Sequence, residues 1–228
     1  MHIPPEFFEL HEDTVHVLFL GLADHREALE AGLNALHPSE RERAARYANP
    51  RNGLRYACTR GLLRQVLGRL LNRLPADITF SYGAFGKPEL SGPGGIAFNL
   101  SHCGDQVALA VSRGGRVGVD LESRMEGDDC LAVARQCFSA QERLELEQGT
   151  DMAQAFCAIW VRKEAVVKAA GRGLDTMQTF CTCKPVVPLP DERGIPIDWH
   201  LSEIPMPPGQ YMALASERGG AQSRCFRL

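Results

Sequence analysis

The sequence lacks most of what would send a chain to a membrane, a nucleic acid or an oxidising compartment. Its longest early apolar run, Val17 to Leu22, is far short of the roughly 20 residues a spanning helix needs. The first residues are acidic and show no leader pattern, so a cytoplasmic protein is expected. Charge of either sign is not in surplus: 25 Lys and Arg face 28 Asp and Glu, a net −3, and no bulk field draws nucleic acid. Any anion site must be local. None of the eight cysteines forms a C-x-x-C pair, and Cys181-x-Cys183 is too closely spaced for the usual zinc knuckle. They read as reduced, partly buried thiols. There is no P-loop or kinase signature, and Gly171-Arg172-Gly173 follows a helix rather than opening one, which is the wrong order for a phosphate loop. No convincing internal repeat appears.

What is present is a core and a cluster of acids. At 228 residues, 44% hydrophobic and 23% charged, the chain supports one large or two small domains. The stretch Val117-Gly118-Val119-Asp120-Leu121-Glu122 reads as a strand, which places Asp120 and Glu122 on one face. Two adjacent carboxylates repel unless a cation lies between them, and hard oxygen ligands suit Mg²⁺. Further on, Trp160, Glu164 and Lys168 recur every fourth residue and share one helix side. If that side meets the strand, Glu164 adds a third carboxylate and Lys168 a positive charge, a setting suited to a bound pyrophosphate. Alone, a D-x-E pair is usually a solvated strand end and a Glu/Lys pair usually surface support; it is their combination in this order that points to chemistry.

These residues resemble the two signature motifs of the 4′-phosphopantetheinyl transferases, G-[VI]-D-[VIL]-E and W-x-x-K-E-[AS]-x-x-K. Gly86-Lys87-Pro88 and Phe98-Asn99-Leu100-Ser101-His102 fit the same family. Length and motif order look like its larger, two-halved class. The resemblance runs from about Pro38 to Leu174. It implies an α+β fold of two similar halves with pseudo-two-fold symmetry, each a helix on a mainly antiparallel sheet, with the site in the cleft between them. It also implies a metal held by Asp120, Glu122 and Glu164. Arg43, Arg55, Lys87, Pro88, Ser101, His102, Lys163 and Lys168 are then expected around coenzyme A, with Glu164 and Lys168 catalytic. Where family members often carry a lysine for the 3′-phosphate, this chain has Glu40, whose charge opposes a phosphate. Arg43 can still serve. Carrier-protein contacts are expected around residues 139–147.

Pattern and punctuation predict the elements. Strands are expected at 14–22, 78–82, 96–100, 107–111, 117–122, 179–187, 197–203, 210–215 and 223–227. Helices are expected at 24–36, 39–47, 51–71, 130–137, 139–147 and 151–171. Ser39/Glu42 and Ser139/Glu142 fit capping boxes. The arginines from Arg51 to Arg73 read mostly as a solvated helix face, with Arg55 chosen for coenzyme A. Lys163 falls in the buried stripe of its helix and is read as holding an anion. Loops are placed at 83–88, 91–95 and 123–129. A division near Gly114-Gly115 gives halves 1–115, with the coenzyme A elements, and 116–228, with the metal site and carrier contacts. The last strands are expected to complete a sheet behind the Trp160 helix.

The implied reaction moves 4′-phosphopantetheine from coenzyme A to a serine of an apo acyl or peptidyl carrier protein, Mg²⁺-dependent, releasing adenosine 3′,5′-bisphosphate. A monomer is expected. The alternatives are another Mg²⁺-dependent phosphoryl or nucleotidyl transferase, and a carrier-binding module without catalysis; intact Asp120, Glu122, Glu164 and Lys168 speak against the second.

Overall fold

A computed structural model describes residues 2–25, 30, 32–92, 95–125 and 129–228. The first half opens with strand β1 (Thr14–Gly21), then helices α1 (Pro38–Ala45) and α2 (Pro50–Leu71). Short strands β2 (Phe80–Tyr82) and β3 (Pro88–Leu90) follow, and then β4 (Ala97–Cys103) and β5 (Gln106–Ser112). The second half contributes β6 (Val117–Ser123), α3 (Asp129–Cys137), α4 (Ala140–Gln148), α5 (Met152–Ala170), β7 (Val186–Pro188), β8 (Asp198–Glu203), β9 (Gln210–Ser216) and β10 (Gln222–Arg227).

Two four-stranded sheets form, ordered β10-β1-β5-β4 and β6-β9-β8-β7, beside the two-stranded β2-β3. Each half lays one long helix on one sheet. Leu62, Leu63, Val66 and Leu67 of α2 pack on Leu18, Leu20, Leu109 and Val111; Val161, Ala165 and Ala169 of α5 pack on Trp199, Ala213 and Ala215. The alternate residues of the strands, Val15, Val17, Ala108 and Ala110, meet Val117, Val119, Leu121 and Leu214. The two sheets thus lie face to face between the long helices, as the strict two-residue period of these strands allows.

The long helices are well punctuated. Asn49 caps α2 by accepting the Arg51 N–H at 3.0 Å, with Pro50 in the first turn, and Asn72 ends it at φ 53°. Asp151 caps α5 through the Gln154 N–H at 3.0 Å, and Gly171 closes it at φ 68°. The Ser139/Glu142 capping box is present at α4.

Four expectations need correcting. The α1 cap is His37, two residues before Ser39: its ring accepts the Ser39 N–H while Glu40 accepts the His37 N–H. Pro38 occupies the first helical position, which proline favours, and so moves the cap back. No strand spans 179–187. Leu174–Thr179 is a 3₁₀ turn, Thr182 is drawn to Glu142, and only Val186–Pro188 pairs. The last strand leaves the second half: β10 pairs parallel with β1, where Phe226 packs on Phe7 and His16. The arginine face of α2 is not all solvated, since Arg60 and Arg64 are buried. The helix expected at 24–36, and the loops at 91–95 and 123–129, fall partly outside the described residues; within the first, 3₁₀ turns occupy Ala23–His25 and Leu33–Ala35.

Candidate active site

Strand β6 has β9 along one edge. Its other edge is satisfied by side chains of β4, at a constant step of two. Asn99 Oδ1 accepts the Val119 N–H (2.9 Å), Ser101 Oγ the Leu121 N–H (3.2 Å) and Cys103 Sγ the Ser123 N–H (3.3 Å). This side-chain ladder joins the halves and brings the Ser101-His102 stretch beside the Asp120 strand. Gly118 sets the other approach. A Cβ there would overlap the Ala165 carbonyl oxygen and the Ala169 nitrogen, so only glycine lets β6 lie this close to α5.

The result is a compact polar cluster. Lys168 Nζ donates to Asp120 Oδ1 at 2.6 Å and to Ser101 Oγ at 3.1 Å, and lies 3.9 Å from Glu164 Oε2. Ser101 Oγ also donates to Asp120 Oδ1 at 2.8 Å. Asp120 is 1% exposed, yet its Oδ2 is buried with no hydrogen-bond partner, a costly arrangement for a carboxylate oxygen. Burial, and after it the charge of Asp120, raises the Glu122 carboxyl above the ordinary glutamate value. Glu164 is raised too: burial dominates, Lys168 opposes it, and Asp120 and Glu122 add to it. The charges of Asp120, Glu122 and Glu164 thus act on one another, and Lys168 lies between Asp120 and Glu164.

Beside this cluster is a cavity of about 440 Å³ lined by Arg43, Arg55, Tyr56, Tyr82, Pro88 and His102, among others. A smaller one, about 170 Å³, is lined by Lys87, Asn99, Lys168 and Arg172. Gly86 and Leu100 line both, so the two cavities share a wall. Arg43 lies 5.1 Å over the Tyr56 ring, and Arg55 Nε donates to Asp105 Oδ1 at 2.6 Å. His102 is partly exposed; its imidazole is held below the ordinary histidine value by burial, then by the Lys168 and Arg55 cations.

Of the residues expected around coenzyme A, Arg43, Arg55, Pro88 and His102 line the larger cavity and Lys168 the smaller. Ser101 instead supports Asp120 and Lys168. Lys87 lines the smaller cavity, but its ammonium is engaged by two carbonyl oxygens, Val117 O and Ala169 O. Lys163 does not reach the pocket at all. It is fully buried, and its Nζ donates to Glu142 Oε2 and to Phe180 O, each at 2.8 Å. The anion it holds is a carboxylate of its own chain. Glu40 does not oppose a phosphate either: it is 3% exposed and neutralised by Arg60 Nε (2.7 Å) and Arg64 Nε (2.6 Å). Sequence reading missed Asn52, Tyr56, Thr59 and Arg60 in the pocket wall. Their spacing with Arg55 is that of one helix face, and that signal was available.

Among the described residues, no group of three or more His, Cys, Asp or Glu side chains is set to hold a metal, and none of the helices is long and apolar enough to cross a membrane. No disulfide joins any of the eight cysteines.

Residues 116–205 match the family described as "4'-phosphopantetheinyl transferase superfamily", and residues 23–114 the family "4'-phosphopantetheinyl transferase, N-terminal". The slr0495 protein of Synechocystis sp., provisionally named as such a transferase, is 36% identical over 148 residues, 63% of this chain and 60% of that one. The 4′-phosphopantetheinyl transferase HetI of Nostoc sp. is 31% identical over 179 residues, 76% of each chain. The AcpT transferase of Salmonella typhimurium is 42% identical over 110 residues, 47% of this chain and 56% of that one. The matched stretch thus spans less than two thirds of the first and third of these relatives.

Proposed function

The chain belongs to the 4′-phosphopantetheinyl transferase superfamily, and on that premise we propose that it transfers 4′-phosphopantetheine from coenzyme A to a serine of an apo acyl or peptidyl carrier protein. The observation that carries the reading is the Asp120–Lys168 pair, whose lysine lines a cavity that shares Gly86 and Leu100 with a larger basic, aromatic one. Arginines, an imidazole and tyrosines suit a phosphorylated nucleotide: the guanidinium fork pairs with phosphate, and aromatic faces pack on a base.

The donor set fits a magnesium ion. Asp120 Oδ2 is buried without a partner, and Glu122 and Glu164 are raised carboxyls beside it. Magnesium usually takes one or two carboxylates and completes its shell with water and substrate phosphate. Asp120, Glu122 and Glu164 would hold the ion, which when bound supplies charge neutralisation at a pyrophosphate.

The chain's own groups do the rest. The arginine-lined cavity binds the nucleotide end of coenzyme A and orients the pyrophosphate towards Lys168. Glu164 accepts the proton of the incoming serine hydroxyl. The serine oxygen bonds to the pantetheine-side phosphorus as the bond to the nucleotide-side phosphate breaks. Lys168 stabilises the charge growing on that leaving group, and adenosine 3′,5′-bisphosphate departs. A monomer acting in the cytoplasm is part of the same reading.

Intact mass spectrometry of an apo carrier incubated with the protein, coenzyme A and Mg²⁺ tests it. The expected result is a gain of about 340 Da, the mass of the phosphopantetheine arm. No gain on either an acyl or a peptidyl carrier would overturn the reading.

A further inference from the structure

The segment Gly83–Pro88 belongs to the first half but is fastened to the second. Its own turn is closed by the Gly83 N–H to Lys87 O and the Gly86 N–H to Gly83 O bonds, both 2.9 Å, with Gly86 at φ 79°. Two tethers then cross between the halves. The Ala84 N–H donates to Glu192 Oε2 at 3.0 Å. Lys87 Nζ donates to Ala169 O at 2.9 Å and to Val117 O at 3.2 Å. Ala169 lies in the last turn of α5, where carbonyl oxygens have no intrahelical partner and a cation is favoured. Val117 is the first residue of β6. The two carbonyls Lys87 joins thus belong to the helix that carries Lys168, one residue away, and to the strand that carries Asp120. Gly86 and Pro88, on either side of Lys87, line the larger cavity.

We propose that Lys87 is a positioning residue: its ammonium pins the wall of the nucleotide cavity to β6 and α5, and so fixes how coenzyme A lies relative to Asp120 and Lys168. This rests on the transferase reading above. Lys87 then acts through its neighbours and not by gripping a phosphate, which is why its ammonium is spent on two backbone oxygens.

The pin is also open to pH. Burial lowers the Lys87 ammonium to about 8, against the pull of Glu89, Glu192 and Glu217 and with the push of Arg116. A charged donor bonds a carbonyl more strongly than a neutral amine does, so the pin weakens as pH rises through that value.

The test is calorimetric titration of coenzyme A into wild type, Lys87→Met and Glu192→Gln, with steady-state transfer measured alongside. Losing charge-assisted bonds at a wall of the cavity is expected to weaken coenzyme A binding about tenfold in Lys87→Met and less in Glu192→Gln. KM for coenzyme A should rise in step while KM for the carrier is unchanged, a split that general unfolding would not produce. In wild type the coenzyme A KM should rise from pH 7 to pH 9, and in Lys87→Met it should stay flat. Wild-type affinity in a folded Lys87→Met overturns the proposal; should that variant not fold, wild-type affinity in Glu192→Gln overturns it. No coenzyme A binding by the wild type would instead remove the transferase reading, and this inference with it.

Discussion

Lys168 Nζ sits 2.6 Å from Asp120 Oδ1, joining a helix residue to a strand residue 48 positions earlier in the chain. The lysine is a quarter exposed and the aspartate almost wholly buried. One cation therefore serves a buried carboxylate on one side and an open cavity on the other, the geometry expected of a group that changes partner when an anionic substrate arrives.

Replacing that cation should stop the chemistry more than the binding. Lys168→Ala is expected to lower kcat by about a hundredfold or more, the usual cost of removing one donor to developing charge. Its circular dichroism should match wild type. Stopped assays with labelled coenzyme A measure it, and a kcat within threefold of wild type would remove Lys168 from the reaction.

Lys163, by contrast, should matter only for stability. Lys163→Met leaves the Glu142 carboxylate buried and unpaired, and breaking such a pair by removing one partner costs about 3–5 kcal/mol. Urea unfolding should show that loss, while coenzyme A affinity of the folded protein stays at the wild-type value.

Glu40 carries a pH signature. Burial pushes its carboxyl up, but the Arg64 hydrogen bond, the Arg60 charge and the His37 N–H together hold it below the ordinary 4.5. A lowered carboxyl stabilises the fold above the unfolded value and loses that contribution as pH falls through the folded one. The stability gap between wild type and Glu40→Gln should therefore be constant above pH 4.5 and close below it. Urea midpoints across pH 3 to 7 measure this; a gap that widens on acidification would contradict the pairing.

Gly118→Ala should damage both fold and function. The added methyl meets the Ala165 carbonyl oxygen and the Ala169 nitrogen, backbone atoms that cannot swing aside, and overpacking of this kind costs about 1–3 kcal/mol. Thermal unfolding should fall, and transfer should fall with it because α5 carries Glu164 and Lys168.

Much of this was legible in the sequence where period and spacing act locally. The two-residue alternation of the Asp120 strand and the four-residue step of Trp160, Glu164 and Lys168 predicted that Lys168 and Glu164 would face Asp120, and Lys168 meets both acids. Asp151 and Gly171 announced the two ends of α5. What was not legible depended on partners distant in the chain. A lysine in an apolar stripe, Lys163, could not reveal that its anion was Glu142. Glu40 looked like an obstacle to phosphate because nothing local shows Arg60 and Arg64 turning towards it. The last strand could not declare that its neighbour is β1, more than 200 positions earlier. The β4–β6 ladder was hidden for the same reason, since Asn99, Ser101 and Cys103 stand in for backbone partners that no alternation pattern encodes.

On the proposed reading, Asp120 and its neighbouring acids form a metal-assisted transfer site next to the basic pocket. The most direct test is a time course of apo-carrier mass with wild type and Asp120→Ala, each with coenzyme A and Mg²⁺, with and without EDTA. The expected result is full conversion by wild type with Mg²⁺, none with EDTA, and none by a folded Asp120→Ala that still binds coenzyme A. Conversion by Asp120→Ala near the wild-type rate would contradict it.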